Sequence, residues 1–283
     1  MEPAPPPELL PVSGSIRGLR VLVTGCASGI GLATVQLLAA EGARLVGVDR
    51  HEPPVPMDEW YPCDLGDPEA IDHLVARLDG ALHGVCNAAG LPTTRPAADI
   101  MRVNLFGLRH LTERLLPRLE DGASVVNIAS CAGTGWPKRL DVITQLLATD
   151  SMAAGLAEFA QRQLDPVEAY FLSKEAVTVY TMVTATKHVD RRIRVNAVSP
   201  GAVYTPILDD FYTTMDADRL AELRTYAGGR EGYPAEIAAP IAFLLSRAAS
   251  WVNGTNLIVD GGAETAVTLG TMAERTPNTP RDI

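Results

Sequence analysis

A doubly wound α/β domain, with about seven parallel strands in one sheet and helices on both faces, is the fold this sequence predicts. Three observations carry the prediction. Short apolar runs alternate with helical segments along the chain, a glycine-rich turn follows the first run directly, and an acid closes the second. Runs that are apolar at every position suit parallel strands covered on both faces. Strand–helix alternation joins such strands by right-handed crossovers.

The strands are expected at Arg20–Thr24, 44–48, a short run ending at 63–64, then 84–87, 124–129, 192–198 and Asn256–Val259. Gly42 is expected to close the first helix. Asp67-Pro68-Glu69 gives the second an N-cap, a proline at N1 and an acid in its first turn, with Gly80 closing it. Between Asp49 and Asp64 the chain is short and proline-rich, and no helix is expected there. The stretch 134–165 is extra to this rhythm. Leu140, Ile143 and Leu147, then Met152, Leu156 and Phe159, recur at helical spacing, so two short amphipathic helices are expected, split at Asp150-Ser151. Asp165-Pro166 opens the next, long helix. One domain over 18–263 results, with that insertion and a segment 204–226 inside it, a flexible proline-rich tail at 1–17 and a second tail at 264–283.

Composition narrows the function. With 47 % apolar residues a large core forms, and 34 acids against 24 bases leave a net charge of −10, which argues against nucleic acid or an anionic membrane as partner. No apolar run reaches about 18 residues, and the start has neither a basic nor an apolar leader region, so a cytoplasmic protein without membrane contact is expected. Cys26, Cys63, Cys86 and Cys131 lie far apart and read as free thiols. Cys63, His73 and His83 lack zinc spacing, and no metal is expected. Trp136 and Trp251 are expected in the core or an interface.

The turn Thr24-Gly25-Cys26-Ala27-Ser28-Gly29-Ile30-Gly31 leads from strand to helix, which aims backbone N–H groups and a helix dipole at one spot, an anion site. Gly25 permits the tight turn, Gly29 lets a pyrophosphate approach, and Gly31 permits close helix packing. Asp49, ending the second strand, suits hydrogen bonds to ribose hydroxyls and repels a 2′-phosphate, so NAD is favoured over NADP. Tyr170 and Lys174 lie four apart on one helix face. Oxidising an alcohol requires a base for its hydroxyl proton. Bringing a phenol from near pH 10 to about 7 takes roughly 4 kcal/mol, which a neighbouring ammonium and a cationic nicotinamide together can supply.

Thr24–Gly31 as TGxxxGxG, Asn87-Ala88-Ala89-Gly90, Asn104, Ser130, Tyr170-x-x-x-Lys174 and Pro200-Gly201 with Thr205 stand in an order that resembles the short-chain dehydrogenases/reductases, single-domain branch. The likeness spans about residues 18–262 and implies a Rossmann-type sheet. It implies Tyr170 as general acid/base, Lys174 lowering its pKa and binding the nicotinamide ribose, Ser130 on the substrate oxygen, and Asn104 holding a relay water. It further implies a cofactor groove that includes Ser28, Ile30, Asp64, Leu65, the backbone of Asn87, Ala88, Ala89 and Gly90, and Pro200, Gly201, Val203 and Thr205. Two positions depart from the family pattern: Ala88 replaces a common Asn and Ala129 a common Ser.

The shortened 49–64 stretch, the insertion and the runs at 135–140, 205–211 and 251–262 resemble two bacterial branches of the family, which act on coniferyl alcohol and on 3α-hydroxysteroids. A hydrophobic, ring-containing alcohol or carbonyl substrate is thereby implied, with Ile207, Leu208, Phe211, Tyr212 and Met215 as its apolar cover or as packing of that segment onto the body. A homodimer or homotetramer is also implied, with the insertion serving pocket or interface. The alternatives are a non-catalytic NAD sensor on the same fold, or a reductase of an unrelated small carbonyl compound.

Overall fold

The computed structural model describes residues 16–275. In chain order they form β1 (Arg20–Thr24), α1 (Gly29–Ala40), β2 (Arg44–Asp49), β3 (Glu59–Pro62), α2 (Pro68–Arg77) and β4 (Leu82–Asn87). Next come α3 (Ala97–Met101), a π-helical turn (Arg102–Gly107), α4 (Leu108–Leu115) and β5 (Leu119–Ile128). The insertion contributes α5 (Leu140–Leu147) and α6 (Met152–Ala160), followed by α7 (Pro166–Lys187) and β6 (Arg194–Pro200). The chain ends with α8 (Leu208–Thr214), α9 (Ala217–Tyr226), α10 (Pro234–Leu245), β7 (Asn256–Val259) and α11 (Ala263–Arg275).

The seven strands pair in parallel in the order β3-β2-β1-β4-β5-β6-β7. Alternate residues of β1 explain why its run is apolar throughout. Leu22 enters the core that includes Ile71, Leu111 and Val177 from α2, α4 and α7, whereas Val21 and Val23 enter the opposite one with Val35 and Ile241 from α1 and α10. Strand order reverses between β1 and β4, whose last residues Thr24 and Asn87 lie side by side. A crevice at the carboxyl ends of such strands is where an open α/β sheet takes its ligands.

Several boundaries differ from expectation for local reasons. β6 begins at Arg194 because Arg192 has φ 55, a left-handed conformation no strand admits. β5 begins at Leu119, which pairs with Leu82 beyond an irregularity in the ladder. α2 ends at Arg77 with Leu78 extended, so Gly80 (φ +66) turns the chain after the helix instead of capping it. Ile16 is buried in the core, so the domain starts earlier than 18; the rest of the expected N-terminal tail lies outside the described residues. The expected C-terminal tail opens as α11, which packs against α9, and its end at 276–283 also lies outside them. Trp136 packs on the core, but Trp251, in the turn before β7, is 99 % exposed and therefore no core residue.

The insertion folds as its periodicity requires, with Ser151 capping α6 through the Ala154 N–H. Ile143, Leu146, Met152 and Phe159 are buried, while Leu140 lies at the open start of α5 and is exposed. Both helices pack onto the body: α5 lies on α7, and α6 lies on the π turn. Gly155 makes the second contact possible, since a Cβ there would stand 2.3 Å from the Phe106 ring. No described helix is long and apolar enough to cross a membrane.

Candidate active site

The glycine turn needs its glycines. Gly25 has φ +70, and a Cβ on it would lie 2.8 Å from the Ala89 nitrogen; one on Gly31 would lie 2.1 Å from the Gly25 carbonyl oxygen. Ser28, the N-cap of α1, is extended and makes no capping bond, which leaves the first N–H groups of α1 directed at the crevice. At the rim Asp49 is held by two backbone donors, Ala27 N to Oδ2 at 3.1 Å and His51 N to Oδ1 at 3.0 Å. A cleft of about 530 Å³ joins Gly25, Ser28, Gly29, Ile30 and Gly31 to Asp49, Asp64, Leu65, Ala88, Ala89, Gly90 and Thr205. An uncapped helix start for phosphate, a close backbone approach and an acid at the second strand fit an adenine dinucleotide. Asn87, whose backbone is expected in the groove, lines neither this cleft nor the one above Tyr170. Its side chain donates to Thr112 Oγ1 (2.9 Å) and Asn127 Oδ1 (2.8 Å), so it is spent tying β4 to β5 and α4 inside the core.

Tyr170 and Lys174 owe their place to the start of α7. Asp165 and Glu168 form a reciprocal capping box, with Pro166 at the first helical position. Ser130 sits just past β5, its Oγ accepting from Ala132 N at 3.1 Å, and lines the same cleft as Tyr170. Lys174 Nζ donates to the Ile128 carbonyl at 2.9 Å and lies 5.7 Å from the Tyr170 ring centre. Gly133 is required beneath them, because a Cβ there would stand 2.7 Å from the Lys174 carbonyl oxygen. Asn104 sits on the π turn and uses both ends of its amide on Leu91, accepting from its N–H (2.7 Å) and donating to its carbonyl (3.0 Å). This fixes the loop that leaves β4 against the turn that carries Asn104.

Taken together, the chain's own groups raise the Tyr170 pKa. Burial is the largest cause and pushes the phenol up to about 12, while the nearby Ser130 hydroxyl pulls it down. Burial also draws Lys174 down to about 8.

A second cleft, of about 790 Å³, opens above Tyr170 and Ser130 and is mainly apolar. Pro200, Gly201, Val203 and Thr205 line it from β6 and the loop that follows, and Ile207, Leu208, Phe211, Tyr212 and Met215 line it from α8 and its ends. The Phe211 ring meets Tyr170 edge-on, centroids 5.1 Å apart. Sequence reasoning missed Val167 and Phe171 on α7, Leu220 and Leu223 on α9, Val267 on α11, and the buried acids Glu175 and Glu231. The α7 and α9 residues recur at helical spacing and were open to that reading; the two acids carried no pattern. The insertion touches this cleft at its root, through Thr134 and Gly135, and Arg139 pairs with Glu175 there (Nε to Oε2, 2.7 Å). Among the described residues no group of three or more His, Cys, Asp or Glu could hold a metal ion, and all four cysteines are free thiols.

A dinucleotide crevice joined to a Ser–Tyr–Lys floor defines a class, and comparison with known proteins agrees. Residues 20–140 match the family model described as short chain dehydrogenase, and residues 144–264 the one described as Enoyl-(Acyl carrier protein) reductase. The chain belongs to the short-chain dehydrogenase/reductase family and is an oxidoreductase acting on CH–OH groups. It is 37 % identical over 244 residues to a coniferyl-alcohol dehydrogenase of a Pseudomonas species, covering 86 % of this chain and 95 % of that protein. It is 32 % identical over 254 residues to the 3-alpha-hydroxysteroid dehydrogenase/carbonyl reductase of Comamonas testosteroni, covering 86 % and 96 %. Among solved structures, the 3-alpha-hydroxysteroid dehydrogenase of Pseudomonas sp. B-0831 complexed with NADH is 32 % identical, with a TM-score of 0.74 over 88 % of this chain and 98 % of that one.

Proposed function

We propose that the chain is an NAD-dependent dehydrogenase that interconverts an alcohol and a carbonyl on a neutral, hydrophobic, ring-containing substrate, of the coniferyl-alcohol or 3α-hydroxysteroid kind. The observation that carries this reading is Tyr170. It stands with Ser130 and Lys174 on the floor of an apolar cleft, with an aromatic ring edge-on above it and the glycine crevice beside it.

Gly25, Ser28, Gly29, Ile30 and Gly31 would hold the pyrophosphate, Asp49 the adenosine ribose, Asp64 and Leu65 the adenine edge, and Val203 and Thr205 the nicotinamide end. Bound there, the nicotinamide supplies the hydride acceptor or donor. Ser130 donates a hydrogen bond to the substrate oxygen and steadies its charge as it develops. Tyr170 takes the hydroxyl proton in oxidation and returns it in reduction. Lys174, held by the Ile128 carbonyl, faces the phenolate that forms. Asn104 keeps the floor in place and serves the proton relay beyond Lys174. Asp49 makes NAD the partner in preference to NADP, since two anions at one rim repel.

The test is reduced-nicotinamide absorbance with purified protein, NAD or NADP, and either coniferyl alcohol or a 3α-hydroxysteroid. Turnover of one alcohol, with NAD well ahead of NADP, is the expected result. Equal use of NADP would overturn the role of Asp49, and turnover of neither alcohol would overturn the substrate class.

A further inference from the structure

α8 and α9 roof the substrate cleft, yet neither contains a buried residue. Elements with so little apolar anchorage open easily unless polar contacts hold them. Thr214 on α8 is tied to Thr93 (Oγ1 to Oγ1, 2.5 Å), and one carboxylate serves both helices. Glu231 is 4 % exposed and follows α9. Its own backbone neighbourhood is fixed to the body, where Gly232 and the end of the β6 loop exchange two hydrogen bonds, Gly232 N to the Ala202 carbonyl and Tyr204 N to the Gly232 carbonyl, both 2.9 Å. From that fixed point Glu231 Oε1 accepts a short hydrogen bond from the Tyr212 hydroxyl on α8 and lies 3.5 Å from Arg224 Nε on α9. The Tyr204 phenol lies within electrostatic reach of the same carboxylate. Tyr212 is the next residue after Phe211, whose ring covers Tyr170. On its other side α8 is tied to the loop after β4 by Thr94 Oγ1 to Asp210 Oδ1 at 2.6 Å.

We propose that Glu231 is a positioning residue for the alcohol: by holding α8 through Tyr212 and α9 through Arg224, it sets Phe211 over Tyr170 and so governs how tightly the substrate is held. The proposal rests on the cleft being the alcohol site. Glu231 touches none of the reacting atoms, so its loss acts on KM and leaves the chemical step in place.

The experiment compares Glu231→Ala, Glu231→Gln and Tyr212→Phe with the parent enzyme, using NAD and whichever alcohol the parent oxidises. Three further readouts are NAD affinity, melting temperature, and the rate of tryptic cleavage after Arg219 and Arg224 in the native protein. For Glu231→Ala the KM of the alcohol rises about tenfold or more. Its kcat, NAD affinity and melting temperature stay near the parent's, and cleavage in α9 accelerates. Glu231→Gln keeps partners for the tyrosines and recovers much of the loss; Tyr212→Phe reproduces part of it and serves if Glu231→Ala does not fold. An unchanged KM with unchanged cleavage would overturn the proposal, as would kcat and NAD affinity falling in step with KM. If the parent oxidises no alcohol, the functional reading fails by itself, and the cleavage rates still decide whether Glu231 holds the roof.

Discussion

Lys174 shows at the scale of one residue what the site costs the fold. It is buried, and among the described residues its ammonium hydrogen-bonds to one carbonyl, that of Ile128. Burial holds its folded pKa at about 8 against an ordinary value of 10.5. Below pH 8 the folded chain therefore carries a buried charge; between about 8 and 10.5 the unfolded chain binds the proton and the folded chain does not, so stability from this group rises with pH. Tyr170, pushed up to about 12, acts in the opposite sense above pH 10 and cancels when two variants sharing it are compared. A Lys174→Met variant is accordingly expected to be more stable than the parent at pH 7, by on the order of 3 kcal/mol at most, and the gap to narrow by pH 9.5. Urea midpoints at the two pH values measure this, and a Met variant less stable at pH 7 would refute it. Tyr170, Lys174 and Ser130 were all legible from spacing and family likeness. Glu231 and Glu175 were not, because a buried acid is defined by partners distant in sequence: Arg139 for Glu175, Tyr212 and Tyr204 for Glu231.

Among elements, the insertion is the informative case. Its two helices, their break at Asp150-Ser151 and the capped start of α7 were all readable, because amphipathic spacing and capping are local. Its destination was not readable. The choice between pocket and interface overlooked packing onto the π turn, which depends on Gly155 facing Phe106 and on no periodicity. That contact makes α6 a buttress for the turn that carries Asn104. Gly155→Ala places a methyl where the Phe106 ring lies, and is expected to cost about 1–3 kcal/mol and to lower turnover with it. Adding Phe106→Leu should restore part of both. Thermal melts and initial rates of the single and double variants check this; a Gly155→Ala protein that melts and turns over like the parent would contradict the buttress. α11 escaped notice for a related reason: it packs against α9, an element distant in sequence and itself part of the roof.

At the scale of the molecule the sheet order explains why both clefts lie at one edge. The reversal between β1 and β4 opens the crevice, and β5, β6 and α7 bring Ser130, Pro200 and Tyr170 to its rim. Strand–helix alternation made this architecture legible from the start, since topology follows from handedness once the elements are known. The division of the rim into a polar and an apolar side was legible only in part. Asp49 and the glycines announced the first, and Ile207, Leu208, Phe211, Tyr212 and Met215 announced part of the second; its walls from α7, α9 and α11 were not legible. Everything then turns on whether Tyr170 moves the proton. The direct measurement is the rate of reduced-nicotinamide formation from NAD and the preferred alcohol by the parent and by Tyr170→Phe, with NAD affinity measured on both. Tyr170→Phe is expected to lose about 10²–10⁴ in rate with NAD affinity unchanged; a Tyr170→Phe enzyme as fast as the parent would contradict proton transfer by Tyr170.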